Sequence, residues 1–155
     1  MVRRRISEAV RQHERVSSLF DYDGRAEVVP FLGNMSERFA WADLIVCRAG
    51  AITAAEVAAA GRAAIFIPFG RATDSHQLRN AQEMVNANAG RLIAEPELTA
   101  GRLASEIFSL LGHSGEVELL ASRARALAKP NAARDIVDLV ETVVDVPVKR
   151  QGERS

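Results

Sequence analysis

The stretch Leu44–Phe69, LIVCRAGAITAAEVAAAGRAAIFIPF, constrains the fold more than any other part of the chain. A short apolar run, Leu44–Ala49, turns at Gly50 into an alanine-rich segment ending at Gly61. A second apolar run, Ala63–Phe69, follows. Two buried strands separated by a helix cannot form a hairpin. The helix carries the chain back along the sheet, so the strands run parallel with a right-handed crossover. Further apolar runs at Ala26–Leu32 and Arg91–Glu95 place four strand candidates about twenty residues apart with helical segments between them, which predicts an α/β fold built on a parallel sheet.

The rest of the chain reads as helix and turn. A charged helix is expected over Val2–Phe20 and a turn at Asp21–Arg25. A helix is expected in GNMSERFAWA, capped by Asn34 or Ser36 and burying Trp41. GRATDS is a loop, with Asp74 or Ser75 capping the helix His76–Gly90. Three more helices begin near Thr99, Gly115 and Asn131. The boundaries expected are an N-terminal helix and turn over 1–25, a Rossmann-like domain over 26–146 and a flexible tail over 147–155.

The 155 residues are 48% hydrophobic, with 20 Lys+Arg balanced by 20 Asp+Glu, so charge gives no reason to expect nucleic acid as a partner. The single cysteine, Cys47, excludes a disulfide framework and fits a reducing, cytoplasmic setting. No metal-ligand spacing, apolar signal core or transmembrane-length run is visible.

Folds of this class bind ligands beyond the carboxyl ends of their strands, so the loops after Leu32, Ala49 and Phe69 are the places to search. The turn at Gly50 opens a helix whose first amides lack internal partners and form an anion site; any strand-to-helix turn may equally carry a glycine. Glu56, with Thr53 on its face, either accepts two hydrogen bonds from a vicinal diol or is a solvated glutamate near a helix start. Gln77 and Asn80 share a face beside His76. Their amides either read sugar hydroxyls or simply begin a polar helix in solvent. Asp74 and His76 invite acid–base chemistry, but no nucleophile is placed beside them. His113, His13 and the Arg3–Arg5 run read as surface.

The patterns ADLIVCRAGAITAAEVAAAGRAAIFIPF and DSHQLRNA resemble the C-terminal, nucleotide-sugar-binding half of glycosyltransferase family 28, the MurG-type enzymes of peptidoglycan synthesis. The resemblance is strong from about Val28 to Thr99 and looser beyond. It implies a Rossmann-like half of the two-domain GT-B architecture. It also implies that Glu56 holds the ribose hydroxyls of UDP and that Gly50, Ala51, Ile52 and Thr53 meet the diphosphate. By the same resemblance the backbone at Leu32 reads uracil, and Gln77 contacts GlcNAc with His76 and Asn80 beside it. No cofactor or metal is implied.

The resemblance implies family members roughly twice as long as these 155 residues. Their N-terminal domain binds the lipid-linked acceptor, lipid I, and supplies the base. The expectation is therefore a fragment lacking that domain, its catalytic residues and the first strands of the sheet. Such a fragment binds UDP-GlcNAc but does not transfer it alone, and it leaves Ile136, Leu139, Val140 and Val143 as an exposed stripe. The full-length family sits peripherally on the inner face of the bacterial membrane. The rival readings are a non-catalytic nucleotide-sugar-binding module and a related GT-B transferase with another acceptor.

Overall fold

The structure, a computed structural model, describes residue 29 and residues 31–69 and 75–144. It divides into two compact units, residues 1–37 and 38–155. The helix expected over Val2–Phe20, the turn at Asp21–Arg25, the loop 70–74 and the tail 147–155 lie outside the described residues.

In the first unit, Val29, Phe31 and Leu32 are the described part of the strand expected over Ala26–Leu32, and none of them is in a strand. Helix α1 spans Met35–Trp41, of which residues 35–37 belong to the first unit and residues 38–41 to the second. Asn34 precedes it with φ 52°, and its amide nitrogen donates to Glu37 Oε2 at 3.3 Å. The capping candidate Ser36 lies inside the helix.

The second unit holds a three-stranded parallel sheet in the order β1 (Leu44–Cys47), β2 (Ala63–Phe66) and β3 (Arg91–Leu92). Leu44 pairs with Ala63 and Cys47 with Phe66, while Ile65 pairs with Arg91. Helix α2 (Ala51–Ala60) joins β1 to β2, and α3 (Ser75–Asn86) joins β2 to β3. A 3-10 turn (Glu95–Glu97) and helices α4 (Ala100–Gly112), α5 (Glu116–Ala126) and α6 (Ala132–Val144) follow.

Every residue of β2 is buried, as a central parallel strand covered on both faces requires. Its alternation divides the core. Ala64 and Phe66 face a cluster with Val57 of α2 and Ala81 and Met84 of α3. Ala63, Ile65 and Ile67 face Leu110 of α4 and Leu120 of α5. Both crossover helices therefore lie on one face, as two crossovers of the same hand in the order 1-2-3 demand. Truncating Phe66, which has no exposed surface, would cost about 3–5 kcal/mol.

Helix ends are set by local geometry. Gly61 takes φ 61°, donating to Ala58 O at 3.0 Å while Arg62 donates to Val57 O at 3.3 Å, a Schellman closure. Helix α3 closes in the same way on Asn88, with φ 50°, rather than at Gly90. Gly90 serves packing: a Cβ there would lie 2.8 Å from the Phe66 ring and 3.0 Å from Ala64 O.

Trp41 departs from expectation. It is 82% exposed, and Phe39 is the buried aromatic of α1. Two residues on a helix are separated by about 200°, so only one of the pair can face the core. Helix α6 buries no residue at all, and Ile136, Leu139, Val140 and Val143 are each more than half exposed, the stripe expected from the sequence.

Candidate functional site

The described sheet ends at Cys47, Phe66 and Leu92, and the segments leaving those strands gather most of the candidate residues. Gly50 is extended (φ −61°, ψ 149°), and its carbonyl accepts the first helical bond of α2, from Ala54 N at 2.9 Å. The amides of Ala51, Ile52 and Thr53 precede that bond, and no side chain caps them. Ala51 and Ile52 are exposed; Gly50 and Thr53 are half-buried. The result is an open helix N-terminus at the positive end of the dipole. Gly50 itself is not demanded by the turn. Its dihedrals suit any residue, and a Cβ would meet only Thr53 Oγ1, at an ordinary 3.7 Å.

Glu56 is exposed one turn further on and lines a cleft of about 900 Å³. Ile52, Ala55 and Ala59 form the α2 wall; Leu127, Lys129 and Pro130 form the opposite one. Arg125 also lines this cleft. Its guanidinium donates to Ala59 O at the negative end of α2, and its side chain lies against Gly61, where a Cβ would stand 3.1 Å from Arg125 Cδ.

His76 is exposed at the start of α3. Gln77 and Asn80 are half-buried and each holds a loop. Gln77 Oε1 accepts from Phe69 N at 3.1 Å, and Asn80 Nδ2 donates to Ala49 O at 2.9 Å. The start of α3 is thereby fastened to the loops leaving β1 and β2. Leu32 is exposed and belongs to the first unit. Asp74 lies outside the described residues.

Arg48 is the residue that reading the sequence overlooked. Its Nη1 donates to Ile67 O at 3.2 Å and Pro68 O at 3.4 Å, and its Nη2 pairs with Glu95 Oε1 at 2.7 Å. The guanidinium also lies 5.0 Å from the centroid of the Phe69 ring. One side chain thus joins the segments leaving all three strands. The available signal was a cation placed directly after an apolar strand.

Cys47 is a half-buried free thiol at the end of β1. Burial pushes its thiol up to about 11, so it stays protonated at neutral pH. Among the described residues no group of His, Cys, Asp and Glu is placed to hold a metal ion. No described helix is long and apolar enough to cross a membrane.

Residues 5–140 match the glycosyltransferase family 28 C-terminal domain. The chain belongs to this family. It is 45% identical over 113 residues to the UDP-N-acetylglucosamine--N-acetylmuramyl-(pentapeptide) pyrophosphoryl-undecaprenol N-acetylglucosamine transferase of Pseudomonas paraeruginosa, covering 73% of this chain and 32% of that one. The enzyme of the same name from Azotobacter vinelandii is 44% identical over 128 residues, covering 82% and 36%. The crystal structure of Acinetobacter baumannii MurG superposes with a TM-score of 0.74 at 36% identity, covering 84% of this chain and 38% of that one. The chain spans about a third of the length of these curated relatives. The family 28 domain seen here is the expected Rossmann-like parallel sheet with flanking helices, in the C-terminal domain of a GT-B fold.

Proposed function

We propose that this chain is the donor-binding portion of an inverting N-acetylglucosaminyltransferase and that its ligand is UDP-GlcNAc. The observation that carries the reading is the start of α2: three amides with no side-chain cap, followed one turn later by the exposed carboxylate Glu56. That pairing offers a diphosphate a positive helix end and offers a ribose diol a two-point acceptor. The relatives' names supply the sugar nucleotide. In this reading Gly50, Ala51, Ile52 and Thr53 meet the diphosphate and Glu56 the ribose. Gln77 meets the GlcNAc, with His76 and Asn80 beside it. Arg48 and Asn80 keep the surrounding loops in place.

Inverting transfer builds negative charge on the departing UDP, and preorganised amides stabilise such charge. The acceptor in the relatives' names is a lipid-linked N-acetylmuramyl pentapeptide. We assign the base and the acceptor site to the part of the relatives that this chain does not match, and the working protein to the cytoplasmic face of the membrane. The chain by itself then binds donor without transferring its sugar. Calorimetry with UDP and UDP-GlcNAc, followed by a transfer assay on a lipid-linked acceptor, tests this. Donor binding without turnover is expected, and turnover should appear when the unmatched part of a relative is supplied. Binding of neither nucleotide, or robust turnover by the chain alone, overturns it.

A further inference from the structure

We propose that Arg48 is a positioning residue for the sugar-reading end of the site, acting through Phe69 and Gln77 rather than by touching ligand; this rests on the donor-site reading above. The chain of contacts is short. The Arg48 guanidinium grips the carbonyls of Ile67 and Pro68 and lies beside the Phe69 ring. The Phe69 amide donates to Gln77 Oε1 at 3.1 Å. The direction of the Gln77 amide therefore depends in part on where residues 67–69 sit, and Arg48 helps to hold them there, beside the bond from Ile67 N to Cys47 O at 2.8 Å. Glu95 anchors the other side of the guanidinium at 2.7 Å, so the segment leaving β3 braces the segment leaving β2.

The chemistry requires arginine. Two carbonyls, a carboxylate and an aromatic face are engaged by one planar fork, and a lysine ammonium is a point charge that cannot span them together. Stability is not the main return. Arg48 and Glu95 are 45% and 34% exposed, and a pair this open to water contributes little to folding. What the cluster contributes is geometry: it holds three strand ends in one arrangement at the edge where a ligand is read.

Arg48 bears on the diphosphate position less directly than on the Gln77 end, through the chain at Ala49 alone. The start of α2 is set by its own helical bonds and by Asn80 on Ala49. The two halves of a sugar nucleotide should therefore respond differently to loss of Arg48. The experiment compares the 155-residue chain with Arg48→Lys, Arg48→Met and Glu95→Gln, titrating each with UDP and with UDP-GlcNAc. For Arg48→Lys, UDP affinity should stay within about twofold, while UDP-GlcNAc loses an additional two- to tenfold, roughly the range of one neutral hydrogen bond. Arg48→Met should lose at least as much, and Glu95→Gln less in the same direction. A second measurement is independent of ligand. The side-chain amide resonances of Gln77, assigned with Gln77→Glu, should shift in Arg48→Lys. Equal losses for the two ligands, or unmoved Gln77 resonances, overturn the positioning role while leaving the donor site intact. Failure of the unsubstituted chain to bind either nucleotide overturns the donor site and this role with it.

Discussion

Helices α2 and α4 both begin from an extended residue, Gly50 with φ −61° and ψ 149° and Thr99 with φ −128° and ψ 159°. They treat their unpaired amides in opposite ways. At α4, Thr99 Oγ1 accepts from Arg102 N at 3.1 Å, so the chain satisfies one of its own donors. At α2 no side chain does so, and the residue in the capping position has none to offer. A capped start contributes stability to the fold. An uncapped, accessible start keeps donors in reserve for a ligand, at a cost of a few tenths of a kcal/mol. The contrast separates a structural helix end from a candidate binding one without any ligand being present.

The comparison can be tested from both sides. Removing the carboxylate that accompanies the open start should have the largest effect: Glu56→Ala should weaken UDP binding by about 1.5–3 kcal/mol by calorimetry, with the melting temperature unchanged. Unaltered affinity in a folded variant would leave α2 as an ordinary helix. Removing the cap of the closed start comes next. Thr99→Ala should cost about 1 kcal/mol in urea unfolding and leave UDP affinity alone. A change in binding instead would mean that the two starts are not independent. The smallest free-energy change of the three belongs to the variant that turns one kind of start into the other. Gly50→Ser gives α2 a cap, so unfolding should become harder by a few tenths of a kcal/mol while UDP affinity falls. Stabilisation with no loss of affinity would show that those amides serve no anion.

The α2 crossover was legible because its signals are local. The run AAAG ends where a left-handed residue is needed, and Gly61 supplies it. The end of α3 was misread for a related reason. Asn88 takes the left-handed position, while Gly90 is glycine because the Phe66 ring passes too close for a Cβ, a distance that no local pattern encodes. Trp41 and Phe39 sit on a helix of seven residues, too short for periodicity to fix which one faces inward. At the candidate site, Glu56 was singled out by its offset from the helix start. The loop-fastening bonds of Gln77 and Asn80, and all the partners of Arg48, join segments that are neighbours only after folding.

Helix α6 carries a consequence for how the molecule breathes. With no buried residue, its 13 residues depend mainly on their own helical bonds, and isolated helices of that length are marginal in water. Its amides should trade protons with solvent through local fraying, while those of β2, sealed on both faces, wait for the whole unit to open. Deuterium uptake followed by mass spectrometry should label α6 first and β2 last. The same fraying leaves its backbone open to proteases, so brief digestion should trim this end of the chain before it cuts the sheet.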